Sequence, residues 1–159
     1  MNIVSARHDL LENLKESSDY REAYVAESVY ALLASQIRVL REQRAWSQKR
    51  LGREANMAQE RISILEDPNS DTKPTLTTLL RIAAAYDVGL DVRFIPFSRV
   101  LDGSFNNNPE SLGVPSFASE AMDIDQSDSR LTHEIGLDEM ARRARRAIEE
   151  ALCRRHPLR

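Results

Sequence analysis

Ser47-Gln48-Lys49-Arg50-Leu51-Gly52-Arg53-Glu54-Ala55-Asn56-Met57-Ala58-Gln59-Glu60-Arg61-Ile62-Ser63-Ile64-Leu65-Glu66 is the stretch that decides the fold. It reads as two short helices joined by a tight turn. Ser47 is suited to cap the first, because its hydroxyl oxygen can accept a bond from a free amide of the first turn. Leu51 and Ala55 then fall on one face at i, i+4. Asn56 follows, and asparagine tolerates the left-handed conformation that ends a helix. The second helix is expected over 58–66, with Ile62 and Leu65 inward and Gln59, Glu60, Arg61 and Ser63 on its outer side. Two helices crossing at a short turn, with a row of hydrogen-bonding side chains on the second, have the shape of a helix-turn-helix that enters a DNA major groove.

The block resembles the Cro/repressor-like (Xre-type) helix-turn-helix family, and the resemblance covers residues 33–90. Ser47-Gln48 matches the family's cap-plus-glutamine pair, Leu51 its inward leucine, and Ile62 with Leu65-Glu66 the end of its recognition helix. Pro74-Thr75-Leu76 and Leu79-Leu80-Arg81-Ile82-Ala83 match its fourth helix. Gly52 stands where the family usually has alanine, and Asn56 where it usually has glycine. A glycine inside a helix costs about 1 kcal/mol relative to alanine.

The resemblance implies an all-α, lambda-repressor-like helix-turn-helix bundle that regulates transcription, with double-stranded operator DNA as partner. It implies a cytoplasmic protein, bacterial or phage-encoded, nucleoid-associated when bound. Gln59 is then the candidate base reader, since its amide can donate to and accept from adenine. Arg61 would reach guanine or phosphate, and Ser63 either. Glu60 can accept from a cytosine amine, although phosphates would repel it. Gln48 is expected to bond a backbone phosphate and brace Gln59, with Lys49, Arg44 and Lys73 as further phosphate contacts. At the matching positions the family pairs an acid with an arginine of its first helix. Here these are Glu66 and Arg41, read as a structural ion pair.

Composition agrees with a small globular chain. Of its 159 residues 42 % are apolar and 30 % charged, which leaves room for one core plus tails. No apolar run approaches the roughly 20 residues a membrane helix needs, and His8 and Asp9 interrupt any signal-peptide segment. The single cysteine, Cys153, excludes an internal disulfide and points to a reducing compartment. With only His8, His133 and His156 beside it, no zinc set is expected, and no cofactor. No Ser/His/Asp, Cys/His or phosphate-loop spacing is present, so an enzyme is not expected. The formal net charge of −3 is unevenly spread. Residues 36–66 carry seven basic side chains against four acidic ones, whereas 100–135 carry one against seven. The acidity therefore sits largely outside the DNA-reading segment, and the modest basic excess implies moderate, salt-sensitive non-specific binding.

Four regions follow from the pattern: an N-terminal helical extension (1–30), the helix-turn-helix domain with its following strand (31–101), an acidic flexible linker (102–135) and a C-terminal amphipathic helix (136–159). A short helix is expected over 9–16, with Leu10, Leu11 and Leu14 on one side. A longer one is expected to be capped by Asp19 with Glu22 in a capping box, and to run to about Arg44. Its Tyr20, Tyr24 and Tyr30 either cover the core or contribute to a dimer contact.

The loop 67–74 is rich in turn formers, and Thr72 and Lys73 are its candidate phosphate contacts. Thr75 is expected to cap the next helix. Leu90, Val92 and Phe94 alternate with Asp91 and Arg93, which is strand periodicity. A lone strand cannot satisfy its own backbone, so these three residues are expected to pair with the same strand of a second subunit across a two-fold axis, with packing as an isolated extended segment as the alternative. Pro96 would stop the ladder, and Ser98 would cap one short turn to Leu101.

In the linker, Leu112, Val114 and Phe117 are suited to dock on the globular part, whereas 120–129 is too polar to bury a core. The last helix, about 137–154, aligns Leu137, Met140, Ala141, Ala144, Ile148, Ala151 and Leu152. Its Arg142, Arg143, Arg145 and Arg146 form a basic cluster. It could dock on its own domain, capture a protein partner such as a toxin, or touch nucleic acid. A homodimeric repressor is the function expected, with the antitoxin half of a toxin–antitoxin pair as the alternative.

Overall fold

The computed structural model describes residues 3–105, 109–120 and 137–155. The chain divides into two compact units, Met1–Ser119 and Glu120–Arg159. The first contains α1 (Ile3–Glu16), α2 (Ser18–Gln43), α3 (Gln48–Glu54), α4 (Gln59–Leu65), α5 (Leu76–Tyr86), α6 (Phe97–Phe105) and α7 (Pro109–Leu112). The second contains α8 (Leu137–Arg155).

α1 is longer than the expected 9–16, and only Ser17 separates it from α2. Ser17, not Asp19, caps α2: its backbone is extended and its hydroxyl accepts from Tyr20 N–H at 3.1 Å. Asp19 lies inside the first turn instead, where its charge favours the helix dipole. Leu14 is buried at this junction, and Arg21 donates to its carbonyl at 2.7 Å. Of the three tyrosines, Tyr20 is exposed and Tyr24 and Tyr30 are half-buried.

The core is made where α2 to α5 meet. Ile37 and Leu40 come from α2, Leu51 from α3 and Ala55 from its end. Ile62 and Leu65 come from α4, Ile82 and Tyr86 from α5. Leu51 and Ile62 are fully buried, and each stabilises the domain by roughly 1.5–3 kcal/mol through apolar burial. Tyr86 is also fully buried, and its hydroxyl donates to the Ile37 carbonyl at 2.7 Å. Burial holds its phenol far above the ordinary tyrosine value. Trp46, absent from the expected core, packs beside it with ring centroids 5.8 Å apart.

Residues 88–96 form neither helix nor strand, and no strand occurs among the described residues. A single chain offers this segment no partner for a ladder, so the expected strand at Leu90, Val92 and Phe94 is absent. Val92 and Phe94 are highly exposed.

The expected linker starting at 102 is also corrected. α6 runs on to Phe105, past the single turn expected, and the chain is still attached to the globular unit up to Ser119. Leu112 is buried and accepts from Gln36 Nε2 at 3.3 Å, while Val114 packs on the core. Asp87 then receives the chain. Its carbonyl accepts from Phe117 N–H at 2.7 Å, and its carboxylate from Ala118 N–H at 3.0 Å. Phe117 stays exposed, so Leu112 and Val114 dock but the phenylalanine ring does not. The acidic stretch 121–135 lies outside the described residues.

In the second unit, all residues from 139 to 150 of α8 are exposed. Met140 and Ile148 of the expected stripe are therefore uncovered, and Arg143 pairs with Glu139 at 2.5 Å. The side chains of Leu137, Ala151 and Leu152 lie outside the described residues.

Candidate nucleic-acid interface

α3 and α4 form the two-helix motif, whose turn is set by local capping and by one contact from α5. Ser47 caps α3, accepting from Arg50 N–H at 3.1 Å. The helix stops because Asn56 takes a left-handed conformation, φ 52°. The turn then folds tightly back, with Met57 N–H donating to the Gly52 carbonyl at 2.7 Å. Arg81 of α5 closes the turn from outside. Its guanidinium donates twice to the Ala55 carbonyl, at 3.2 and 2.9 Å, and once to that of Asn56. Carbonyls at a helix end have no partner within the helix, and a fixed cation there satisfies them and complements the dipole.

α4 begins at Gln59 after Ala58, which supplies no side-chain cap. Ile62 and Leu65 face the core, and Gln59, Glu60, Ser63 and Ile64 are exposed. With 3.6 residues per turn, Glu60 and Ile64 lie farthest from the core side, Gln59 and Ser63 flank them, and Arg61 takes the other flank, half-buried. Ile64 lies between the inward Ile62 and Leu65 in sequence but not on their face. Its exposure of 38 % shows an apolar group on the outer face. The signal was available in the helical spacing, which puts Ile64 two residues from an inward position.

The Arg41–Glu66 pair fixes this helix from behind. Arg41 Nε and Nη2 donate to the two Glu66 oxygens at 2.6 and 3.0 Å, and Nη1 donates to the Trp46 carbonyl at 2.9 Å. Glu66 is buried, and its hydrogen bond to Arg41 holds the guanidinium charged to still higher pH than usual. The fork-to-fork arrangement sets orientation as well as energy.

Several expected contacts are redirected. Gln48 Nε2 donates to Glu66 Oε2 at 3.0 Å, so it braces the ion pair instead of Gln59. Arg44 points away from the motif: it donates to the carbonyls of Leu40 and Tyr86, at 3.2 and 2.9 Å, and lies over the Tyr86 ring. Being at the C-terminal end of α2, it ties that helix to the end of α5 and is not placed as a phosphate clamp. Lys73 folds against α2, 3.5 Å from Glu27 and over the Tyr30 ring. Lys49 is exposed at the start of α3. Between α2, α3 and α4 lies an open depression of about 500 Å³, bordered by Arg38, Gln48, Ser63, Ile64 and Asp67. Among the described residues no group of His, Cys, Asp or Glu could hold a metal ion. Nor is any described helix long and apolar enough to cross a membrane.

A helix-turn-helix family model matches residues 37–92, which run from the last two turns of α2 through α5 into the segment that follows it. No curated protein and no solved structure matches the chain. The matched span contains the capped α3, the left-handed turn, the exposed face of α4 and the Arg41–Glu66 brace. The helix-turn-helix match over residues 37–92 thus supports the resemblance of this segment to Cro/repressor-like (Xre-type) DNA-binding regulators.

Proposed function

We propose that the protein is a sequence-specific transcriptional repressor that acts as a homodimer and reads the major groove with α4. The observation that carries this is the outer face of α4. Gln59, Glu60, Ser63 and Ile64 are uncovered on a helix held by an ion pair on one side and by buried Ile62 and Leu65 on the other. Such a helix offers hydrogen-bonding groups and one apolar group to base edges without having to reorganise. Operator binding at a promoter would repress by occupancy, with no cofactor and no catalysis.

Dimerisation is supported by residues 88–96. They form neither helix nor strand, make no ladder among the described residues, and leave Val92 and Phe94 uncovered. Pairing with the same segment of a second copy across a two-fold axis would satisfy the backbone and cover these side chains. Two α4 helices would then address half-sites about 34 Å apart.

The test is a mobility shift on the DNA upstream of the protein's own gene, with random duplex as competitor and Gln59→Ala beside wild type. Competitor-resistant binding that weakens in Gln59→Ala is expected. Equal binding to every duplex would refute sequence reading.

The antitoxin reading rests on a different observation, the separate unit whose α8 is exposed over residues 139–150. An uncovered amphipathic helix can fold onto a groove of a partner protein. A small protein encoded beside this one that binds through α8 would establish that reading.

A further inference from the structure

The contacts of Lys73 reach beyond the family-matched segment. The loop 67–75 leaves α4, and its shape is set locally by Asn69 N–H donating to Asp67 Oδ1 at 2.9 Å and Thr72 N–H donating to Ser70 Oγ at 3.1 Å. Three groups then hold the Lys73 ammonium. The Ser70 carbonyl lies at 3.4 Å, Glu27 Oε1 at 3.5 Å and the Tyr30 ring centroid at 4.7 Å. Glu27 and Tyr30 sit at i, i+3 on α2, so one face of that helix provides both. Both precede residue 37, where the family match begins. Tyr30 also borders a small cavity with Ile64, Leu65 and Pro68, directly beside the end of α4.

We propose that Tyr30 and Glu27 are positioning residues for DNA binding, holding the Lys73 ammonium at the edge of α4 where a backbone phosphate can take it. This rests on the DNA-binding reading above. The lysine side chain keeps 34 % of its surface exposed, so its charge is held without being covered. The aromatic face attracts the cation and restrains the flexible stem. Glu27, 70 % exposed, is a weak and solvated partner that a phosphate can displace. Ordering the loop and the lysine before DNA arrives removes entropy loss from the binding step. The N-terminal half of α2 thereby gains a role besides packing.

The experiment measures affinity by fluorescence anisotropy on a mixed-sequence duplex and on a duplex selected with wild type, across a salt series. Tyr30→Leu and Lys73→Met should each weaken binding about three- to tenfold and flatten the plot of log K against log salt by roughly 0.9, one phosphate contact. Tyr30→Phe keeps the ring face and should behave as wild type. The double variant Tyr30→Leu with Lys73→Met should bind no more weakly than Lys73→Met alone, because the two act through one contact. A wild-type salt slope in Tyr30→Leu or in Lys73→Met overturns the inference while the DNA-binding reading stands. So do additive losses in the double variant, or a Tyr30→Phe that binds like Tyr30→Leu. A wild-type protein that binds no duplex overturns both.

Discussion

Gly52 and Met57 meet backbone to backbone: a β-carbon on Gly52 would stand 2.7 Å from the Met57 carbonyl oxygen. That distance is far inside van der Waals contact, and the obstacle is main chain that cannot swing away. The glycine that looks like a weak helix residue is what lets the turn fold back on α3. Gly52→Ala sets two effects against each other. Helix propensity favours alanine by about 1 kcal/mol. Overlap in a close-packed site costs roughly 1–3 kcal/mol. We expect a net loss, read as a lower urea midpoint with an unchanged m-value. A midpoint above wild type would show that α3 can shift off the turn at little cost.

The brace behind α4 should be expensive to halve. Arg41→Met leaves the Glu66 carboxylate buried with the Gln48 amide still donating to it and strips the Trp46 carbonyl of a partner. Leaving one buried charge uncompensated costs about 3–5 kcal/mol, and the lower end suits a pair whose arginine is partly solvated. Replacing both partners, Arg41→Met with Glu66→Leu, should cost distinctly less than Arg41→Met alone. Urea unfolding of the three variants against wild type checks this. A double variant as unstable as the single one would mean that the geometry of the pair, not its charge, holds α4.

These two sites show where the sequence was legible. Ser47, Leu51, Asn56, Ile62 and Leu65 act within a turn or two of themselves, and capping chemistry and 3.6-residue spacing locate them without knowledge of the rest of the chain. Arg44, Gln48 and Lys73 are different. Each is a long polar side chain whose partner is chosen by tertiary proximity: the Tyr86 carbonyl, the Glu66 carboxylate and the Tyr30 ring. Spacing along a helix cannot say which of several reachable partners wins. The docking of 109–119 lay in between. Leu112 and Val114 signalled it by their apolar character, but its latch is the left-handed Asp87, whose role depends on a segment thirty residues away. Residues 90–94 have the alternation of a strand but form none, because their own chain offers them no partner among the described residues.

If α4 reads the major groove as proposed, Ile64 would give it a means of telling thymine from cytosine. Its side chain is exposed on the outer line of the helix, and an apolar group there can contact the thymine methyl in the major groove. Ile64→Ala should lose about 1 kcal/mol at one A·T pair, roughly fivefold, and leave other positions unchanged. Gln59→Ala should relax a different position. Selection from a randomised duplex pool with each variant reads both effects. A uniform loss across all positions in Ile64→Ala would assign the residue to helix stability.

Tyr86 should make the domain sensitive to alkali. Its phenol is buried and donates to the Ile37 carbonyl, so the folded state holds it neutral to higher pH than the unfolded chain does. A raised folded value contributes stability that is whole below the unfolded tyrosine value of about 10 and is lost as pH rises toward the folded one. Unfolding midpoints measured from about pH 8 to 11 should therefore fall above roughly pH 10 in wild type. Tyr86→Phe starts less stable by about 1 kcal/mol, having lost one buried hydrogen bond, and its midpoint should fall less steeply over the same range. Parallel curves for the two proteins would show that other groups cause the alkaline loss.

Phe94 offers the sharpest test of assembly because its side chain is fully exposed. In a two-fold pairing of 90–95, Leu90, Val92 and Phe94 would be covered, and a charge at the last of them would appear twice in one apolar contact. Phe94→Asp should thus convert dimers to monomers in sedimentation equilibrium while leaving the thermal midpoint of the monomer near wild type. Operator affinity should fall far more than the loss of one half-site contact, because the second α4 would no longer arrive tethered to the first. A Phe94→Asp protein that remains a dimer would move the interface elsewhere. The exposed Leu76 and Leu80 of α5, at i and i+4 on one face, would then be the residues to change next.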